Sequence, residues 1–329
     1  MPKAEFLRER GRKDSMKIAI TGGSGFIGTR LTALLTQAGH DCVNVDLRGA
    51  HPVDILDLPG LTNALKGCEA VYALAAEHRD DVTPLSRYYD VNVKGTQNIC
   101  DACDANGIKR LVFTSSFAVY GLNANKPDEQ SPPAPFNDYG QSKLEGEQVL
   151  QAWAKRTDGA QLTIVRPVVV FGEGNRGNVY TLVNQIASGK FMMVGSGRNK
   201  KSMAYVGNVA AFLQFILDDR KNGEIYNYAD GPDFSMNDLM KVICEKLGFA
   251  RPKTIPYAIG LGAGMTFDVI AKMTGRKFPI SAVRVQKFCA DTTSDACKAM
   301  RTGFQPPYSM EEGFARFIEA DFAKQKKAA

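Results

Sequence analysis

Tyr139 and Lys143 stand four residues apart in the segment YGQSK, and that spacing places both side chains on one face of a helix. A nearby ammonium group lowers the pKa of a tyrosine hydroxyl, which then exchanges protons with a substrate near neutral pH. Ser116, in FTSSFAVYG, adds a hydroxyl that would position the substrate oxygen. Together the three residues predict proton transfer to or from an alcohol, although a Tyr and Lys at this spacing also occur as a plain surface pair.

The segment TGGSGFIG follows an apolar strand pattern, KIAI, and opens an amphipathic run that ends at Gly39. Its glycines have the spacing that lets backbone amides approach a pyrophosphate at the positive end of a helix. The loop therefore predicts a dinucleotide-binding βαβ unit, with a glycine turn made only for packing as the alternative. The loop residues assigned to the cofactor are Gly22, Gly25, Phe26, Ile27 and Gly28.

Asp46 ends the second predicted strand, where a carboxylate can accept hydrogen bonds from both adenine ribose hydroxyls. This favours NAD over NADP, although Arg48, two residues later, would suit a 2'-phosphate. A turn or N-cap aspartate is the alternative. Asp54 and Ile55 are expected in the next short strand, with Asp54 facing the adenine amino group and Ile55 packing on the ring.

Strand and helix patterns alternate through the first half of the chain, as they must to position these residues. Strands are predicted at 70–75, 110–115 and 161–167, with helical patterns at about 83–105 and 138–156 between them. Strands this apolar belong in a parallel sheet that is covered on both faces. We expect an α/β fold with a Rossmann-type, doubly wound parallel sheet and a smaller C-terminal α/β substrate lobe.

The expected division of the chain has three parts. Residues 1–15 are interpreted as a flexible extension, because the strand pattern begins directly after Met16. The NAD-binding domain is assigned to 16–170 with about 203–230, and the substrate lobe to 171–202 with 231–325. Recognition of the substrate is expected to depend on loops within 171–202 and 252–290.

Composition excludes several classes of protein. Of 329 residues, 44% are hydrophobic and 23% are charged, which is typical of a globular protein. Much of the formal net charge of +6 lies at the two ends of the chain, which is typical of solvated tails, and the excess also suits a phosphorylated small substrate. No basic stripe interleaved with aromatic residues suggests nucleic acid. The apolar stretch TIPYAIGLGAGMTF is too short to span a bilayer. We expect a helix packed on the surface or in the substrate lobe and no stable membrane insertion, with peripheral membrane contact as the alternative.

The seven cysteines are an odd number and are scattered along the chain, which indicates reduced thiols and a cytoplasmic location. Cys100 and Cys103 form a lone CxxC near a predicted helix end. Without a second pair or a suitably spaced histidine, they are interpreted as buried thiols rather than a zinc or redox site. No metal is predicted.

The order of these motifs resembles the extended short-chain dehydrogenase/reductases, and among them the NAD-dependent epimerase/dehydratase family that includes UDP-sugar 4-epimerases. The matching segments are TGGSGFIG, Asp46, Asp54-Ile55, LAA at 74–76, NVKGT at 92–96, SSFAVYG at 115–121, YGQSK and RPVVVFGEG. The resemblance implies NAD as cofactor, a nucleotide-sugar substrate and a homodimer. The dimer interface would combine the helices at 83–105 and 138–156, with Val149, Leu150 and Trp153 as its apolar face.

The resemblance also implies roles for individual residues. Ala75 would lie along the cofactor diphosphate, Asn92 would line the nicotinamide side, and Tyr139 and Lys143 would touch the nicotinamide ribose. Further cofactor residues would be Leu74, Ala76, Arg166 and Val168. The substrate would meet Ser116 and Phe117, with Asn178 and Lys201 at its diphosphate and Arg284 as a looser candidate.

Several positions depart from the family pattern. Phe117 and Ala118 stand where 4,6-dehydratases of this family have an acid pair, so dehydration is disfavoured. Val169 replaces a substrate asparagine of typical UDP-galactose epimerases, and Ala73 replaces a frequent histidine. The leading interpretation is an NAD-dependent nucleotide-sugar 4-epimerase.

Three other functions remain open from the sequence. They are an NAD(P)H-dependent reductase of a 4-keto-6-deoxy nucleotide sugar, a hydroxysteroid or flavonol-type dehydrogenase, and a non-catalytic dinucleotide-sensing regulator. A sensor needs the glycine loop but no proton-transfer tyrosine. The presence of Ser116, Tyr139 and Lys143 together therefore favours an enzyme.

Overall fold

A computed structural model describes residues 15–49, 51–79, 82–122, 125–189, 191–218, 223–275 and 281–323. The expected flexible extension, apart from Ser15, lies outside the described residues. The strands are β1 Lys17–Thr21, β2 Asp41–Val45, β3 Ala70–Ala73, β4 Arg110–Thr114, β5 Gln161–Pro167, β6 Val169–Phe171, β7 Met193–Val194, β8 Lys200–Tyr205, β9 Glu224–Tyr228, β10 Asp230–Ser235 and β11 Thr254–Ile255.

The α-helices surround these strands on both sides. They are α1 Gly28–Gln37, α2 Leu58–Ala64, α3 Ser86–Tyr89, α4 Gly95–Asn106, α5 Asp138–Arg156, α6 Asn178–Ala187, α7 Val206–Phe215, α8 Met236–Leu247, α9 Tyr257–Thr274, α10 Ala282–Cys289, α11 Cys297–Arg301 and α12 Met310–Phe322. A π-helical turn, Asp90–Lys94, connects α3 to α4, and a 3-10 turn, Phe117–Tyr120, follows β4.

The central sheet has six parallel strands in the order β2-β1-β3-β4-β5-β9. Helices α1 and α7 cover one face, and α2, α4 and α5 cover the other, so the inner strands β1, β3, β4 and β5 are buried from both sides. Apolar residues on both faces of these four strands favour this arrangement, because only a doubly covered sheet removes both faces from water. The predicted Rossmann-type α/β fold is confirmed.

A second, smaller sheet has the order β10-β8-β6, with β8 antiparallel to β10 and parallel to β6. Its apolar cluster includes the stacked rings of Phe171 and Phe314, 4.2 Å apart between centres. Strand β8 stays in this sheet as far as Tyr205, and α7 and β9 then return the chain to the central sheet. The division at 170/171 and about 203 remains an interpretation of where the two parts meet.

Asp54 and Ile55 lie in a turn and not in the predicted strand. The Asp54 carboxylate accepts a hydrogen bond from the backbone N–H of Leu56 at 2.9 Å, and its carbonyl oxygen accepts one from Asp57 N at 3.0 Å. An aspartate that binds the backbone two residues ahead forms a turn of its own, which here leads into α2. The prediction of a short strand at Asp54 and Ile55 was wrong.

Two of the residues assigned to a dimer face are in the core. Leu150 and Trp153 are fully buried within the chain, and the Trp153 indole N–H donates to Asp104 at 2.7 Å. Val149 is partly buried against the same apolar cluster. Leu150 and Trp153 face the sheet and α4, so their assignment to a dimer face was wrong.

The cysteines of the CxxC pair are buried on α4, as predicted, and burial raises the pKa of the Cys100 thiol to about 12. All seven cysteines are free thiols. Within the described ranges, no group of three or more His, Cys, Asp or Glu side chains is arranged to hold a metal ion.

The apolar stretch after Lys253 forms α9, which continues past Asp268 to Thr274. In the part of the chain that the structure describes, no helix is long and apolar enough to cross a membrane. The helices α8 and α12 begin with the capping boxes that SMND and SMEE indicate, at Ser235 and Ser309.

Candidate active site

The glycine loop lies at the carboxyl edge of the central sheet, between the neighbouring strands β1 and β3. Gly22 has a φ of +71°, and a Cβ there would lie 2.8 Å from the backbone N of Ala75. The segment after β3 is held across the loop, since Leu74 N donates to Thr21 O at 3.1 Å and Ala75 N donates to Thr21 Oγ1 at 3.3 Å. This is the crevice where open α/β sheets bind ligands.

Asp46 lies beside this loop at the end of β2, with only 9% of its surface exposed. One carboxylate oxygen accepts from Ser24 N at 3.1 Å, and the other accepts from Arg48 N at 2.9 Å. The Arg48 side chain reaches the same carboxylate at 3.3 Å and is largely exposed. A fixed carboxylate beside a cradle that only glycine fits suits NAD, because it accepts from ribose hydroxyls and repels a 2'-phosphate.

Helix α5 presents the catalytic candidates. Its N-cap residue, Asn137, accepts from Gly140 N at 2.9 Å, which fixes where the helix begins. Tyr139, Lys143 and Glu147 then follow at intervals of four, on one face. The Tyr139 ring lies 6.2 Å from the Tyr88 ring between centres.

The Lys143 side chain is 2% exposed, and its Nζ lies 4.1 Å from the centre of the Phe113 ring. Burial lowers the pKa of Lys143 to about 7, and the negative charge of Glu147 opposes that shift. Removal of a proton from Tyr139 would create an anion on the same helix face, and that anion would favour the charged ammonium form. The charge on Lys143 would therefore depend on the charge on Tyr139.

Ser116 is brought to α5 by a close helix contact. Its hydroxyl caps the 3-10 turn by accepting from Ala118 N at 3.1 Å. A Cβ on Gly140 would lie 2.7 Å from the carbonyl oxygen of Ala118, so the absence of a side chain lets α5 rest directly on this turn. The contact places Ser116 and Tyr139 in one region, as the catalytic interpretation requires.

A buried ion pair holds α5 to β5. Arg166, 3% exposed, donates from Nε and Nη2 to the two carboxylate oxygens of Glu147 at 2.8 and 2.5 Å. Its Nη1 donates to the hydroxyl of Tyr120 at 2.6 Å. The structure thus gives Arg166 a positioning role, and a direct contact with NAD stays a prediction. Sequence reasoning missed Glu147, although its spacing from Lys143 was a usable signal.

Asn92 positions the segment that follows β3. Its Oδ1 accepts from Glu77 N at 2.9 Å, and its Nδ2 donates to Glu77 O at 3.0 Å and to Ser142 Oγ at 2.9 Å. The side chain is 1% exposed. Asn92 therefore fastens this segment to α5 from within the π-helical turn, and the predicted contact with nicotinamide stays untested.

Glu77 itself is buried and carries a charge. Hydrogen bonds from the side chains of Arg79 and Arg87, at 3.1 and 2.9 Å, hold the pKa of Glu77 down at about 2 despite burial. The carboxylate is the anchor on which these two arginines converge, at the edge of the cofactor crevice.

The remaining cofactor candidates lie around the crevice. Ile55 is buried and faces α4, where it contacts Gly95, so its packing on adenine stays a prediction. Phe26 lies under the Arg30 guanidinium, 4.9 Å from its ring centre. Val168 is buried, and its N–H donates to Tyr228 O at 3.1 Å.

The substrate candidates fall on separate elements. Lys201 donates from Nζ to the carbonyl oxygens of Lys287 and Ala290 at 3.0 and 2.6 Å, at the end of α10, and burial lowers the pKa of its ammonium group. Asn178 is exposed at the start of α6, and Arg284 is exposed on α10. Phe117 packs on Tyr120 at 5.3 Å between ring centres. Their roles at the substrate stay predictions.

A cleft of about 380 Å³ opens beside Lys201, between β7, the head of α9 and the end of α10. Both segments expected to recognise the substrate contribute to it. Its lining includes Ser196, Asn199, Tyr257, Gln286 and Ala290.

Residues 18–229 match the model of the NAD dependent epimerase/dehydratase family. The chain belongs to this family. It is 47% identical over 322 residues to the N-acetyl-alpha-D-glucosaminyl-diphospho-ditrans,octacis-undecaprenol 4-epimerase of Escherichia coli O157:H7, covering 94% of this chain and 96% of that one. It is also 29% identical to the UDP-glucose 4-epimerase of Vibrio cholerae, over 94% and 96% of the two chains.

Among solved structures, MoeE5 in complex with UDP-glucose and NAD superimposes on this epimerase-family enzyme with a TM-score of 0.74. The two chains are 27% identical, and the match covers 94% of this chain and 99% of that one. The predictions of the family, of NAD as cofactor and of an enzyme of the 4-epimerase type are confirmed.

Proposed function

We propose that this enzyme inverts carbon 4 of an N-acetylhexosamine that is joined through a diphosphate to a polyprenol. The observation that carries the proposal is the 47% identity, across nearly the whole of both chains, to an enzyme named for that substrate. Val169 supports it, because this half-exposed residue stands where typical UDP-galactose epimerases have a substrate asparagine.

The chain's own groups account for the proton movements. NAD, when bound, supplies the acceptor and donor for the hydride at carbon 4. Tyr139 takes the proton of the sugar 4-hydroxyl, and Ser116 donates a hydrogen bond to the same oxygen. Lys143 stabilises the tyrosinate. Return of the hydride to the opposite sugar face and of the proton to the oxygen completes the inversion, with no net oxidation.

Residues that hold NAD in place fit this cycle. Gly22 and Ala75, which approach each other closely, would form the cradle for its diphosphate, and Asp46, held by Ser24 N, would accept hydrogen bonds from its adenine ribose. A cofactor that is regenerated in each turnover has no need to leave, so a tight site is consistent with an epimerase.

A UDP-sugar is the second candidate substrate, since a solved neighbour binds UDP-glucose and NAD. The test is to incubate the purified enzyme separately with N-acetylglucosaminyl-diphospho-polyprenol and with UDP-N-acetylglucosamine, release the sugars with mild acid, and separate the two epimers. We expect conversion of the polyprenol-linked sugar, from either epimer towards one equilibrium mixture. Conversion of the UDP-sugar alone would contradict the proposal, and the Tyr139→Phe protein serves as the blank.

We also propose a cytoplasmic location and a homodimer. The seven free cysteines support a reducing compartment. With Leu150 and Trp153 in the core, a dimer through α5 would use its exposed strip, where Gln148 and Ala152 lie. Light scattering tests the dimer, and an Ala152→Arg variant that stays dimeric would argue against this face.

A further inference from the structure

Helix α9 exposes large apolar side chains to solvent, which a surface helix normally buries. Its inward face is made of small residues: a Cβ on Gly260 would lie 2.4 Å from Val194 Cγ1, and one on Gly264 would lie 2.7 Å from Ala282 N. Most of its large apolar side chains are exposed, Val269 by 56% and Met273 by 82%, whereas Leu261 and Phe267 are half-buried. A surface helix ordinarily buries its apolar stripe and exposes polar residues.

This reversal concentrates exposed apolar surface in one place. Fourteen large hydrophobic side chains are exposed among the described residues. Half of them belong to α9 and the adjoining helix α10, which together have only 26 residues. An exposed apolar patch of this kind marks a surface that contacts a membrane or a partner. The seven side chains are Tyr257, Ile259, Met265, Val269, Ile270, Met273 and Val283.

The chain segment that carries the patch is strongly basic. Residues 251–287 contain seven basic residues and one acidic residue, so their formal charge of +6 equals that of the whole chain. The acidic residue, Asp268, accepts a hydrogen bond from Ala282 N at 3.0 Å and so serves the contact between α9 and α10. The described basic side chains are all exposed: Arg251, Lys253, Lys272, Arg284 and Lys287.

The patch also adjoins the cleft of the substrate lobe. Tyr257, the first residue of α9, lines the cleft and is 42% exposed, and Gln286 of α10 lines it from the other side. A ligand with its polar part in the cleft and an apolar tail would therefore have that tail beside the outward face of α9.

From these observations we infer that α9 and α10 dock the enzyme on a membrane that contains anionic phospholipid. The apolar face of α9 enters the interface between headgroups and acyl chains, and the basic side chains around it attract the anionic headgroups. In this position the diphosphate-linked sugar enters the cleft while its polyprenol stays in the bilayer. The last step rests on the proposed function, whereas the docking itself does not.

The test is co-sedimentation of the full chain with vesicles of phosphatidylcholine, with and without phosphatidylglycerol, in the absence of substrate. We expect binding to the anionic vesicles that weakens with salt, and little binding to phosphatidylcholine alone. The variant Val269→Glu/Met273→Glu should bind at least about tenfold more weakly. It should keep its NAD affinity, because α9 is remote in sequence from the glycine loop and packs in the substrate lobe.

Two variants serve as matched controls. Val269→Leu/Met273→Leu keeps the face apolar and should bind vesicles like the unmodified chain. Leu85→Glu places a charge on an equally exposed apolar residue, 54% exposed, in the other lobe, and should also bind normally. Vesicle binding by the double glutamate variant equal to that of the unmodified chain would overturn the inference, as would equal loss in Leu85→Glu.

A second copy of the chain is the competing occupant of the patch. If light scattering shows an oligomer that Val269→Glu/Met273→Glu converts to monomer, and the unmodified chain does not bind anionic vesicles, the patch is a protein interface and the inference fails. Turnover of a detergent-dispersed polyprenol-linked sugar without vesicle binding would leave the proposed function standing and refute the docking. Vesicle binding without such turnover would support the docking and refute the proposed substrate.

Discussion

Gly140 rests directly on the carbonyl group of Ala118, and a methyl group added at Gly140 would lie 2.7 Å from that oxygen. The contact joins the helix that carries Tyr139 and Lys143 to the turn that begins at Ser116. The spacing between Tyr139, the proposed proton-transfer residue, and Ser116, the proposed substrate-positioning hydroxyl, therefore depends on the contact at Gly140.

Gly140→Ala should lower kcat by about 10²-fold, the cost typical of a displacement near 1 Å in an active site. The chain should still fold, because alanine is a good helix former and α5 can move outward slightly. Steady-state kinetics measure the effect. Gly262→Ala is the control, because a Cβ added at Gly262 would have no heavy atom of another residue within 4 Å. Equal kinetics for the two variants would show that the contact does not set the catalytic geometry.

Tyr139→Phe should reduce turnover by roughly 10² to 10⁴-fold, as expected for a lost general acid and base. The ring remains, so folding and NAD affinity should be kept. Lys143→Ala should lose both rate and NAD affinity, since the lysine is predicted to bind the nicotinamide ribose as well. Single-turnover kinetics and calorimetry separate the two effects. Near-normal turnover of Tyr139→Phe would place the chemistry elsewhere.

NAD should bind at least about tenfold more tightly than NADP, which is roughly 1.4 kcal/mol. The Asp46 carboxylate, held by Ser24 and Arg48 beside the loop, repels a 2'-phosphate. Asp46→Ser should narrow the difference between the two affinities, because it weakens the binding of NAD and removes the repulsion of the NADP 2'-phosphate. Calorimetry with both cofactors gives the ratio, and equal affinities in the unmodified chain would contradict the role of Asp46.

The buried Lys143 should make the cofactor-free protein more stable as the pH rises from about 7 towards 10. Burial lowers its pKa to about 7 in the folded chain, whereas an unfolded lysine titrates near 10.4. Between these values the unfolded chain binds more protons, so the free energy of unfolding increases with pH. Urea unfolding at several pH values, compared with Lys143→Met, isolates this contribution. Parallel pH curves for the two proteins would contradict it.

Arg166→Met should destabilise the fold by about 3–5 kcal/mol, because it leaves the Glu147 carboxylate buried without a partner. The double variant Glu147→Met/Arg166→Met should recover most of that loss, since it removes both buried charges. Urea denaturation measures both. A double variant no more stable than Arg166→Met would show that packing, and not the ion pair, governs this contact.

The parts of the site that could be predicted from sequence depend on short-range spacing. Gly22 and Asp46 belong to one strand-turn-helix-strand unit, and Tyr139 and Lys143 are one helical turn apart. In each case local backbone geometry fixes where the side chains point, so the motif implies the arrangement. The inner strands β1, β3, β4 and β5 could also be predicted, because burial on both faces leaves a continuous apolar pattern.

What could not be predicted depends on contacts between distant segments. The partners of Lys201 lie 86 and 89 residues further along the chain, and no spacing rule reveals them. Leu150 and Trp153 are apolar helix positions whether they face the core or a second subunit, and only the packing decides. At Asp54 the prediction failed for a local reason. The apolar neighbour Ile55 suggested a strand, whereas the Asp54 side chain forms a turn with the backbone that follows it.

The outward apolar face of α9 also bears on how the enzyme meets its substrate. An enzyme and a substrate held in the same bilayer encounter each other by lateral diffusion in two dimensions, so their surface densities set the encounter rate. Added vesicle lipid would dilute both and slow turnover while the bulk concentrations stayed constant. An enzyme working from bulk water on a nucleotide sugar would show no such surface dilution.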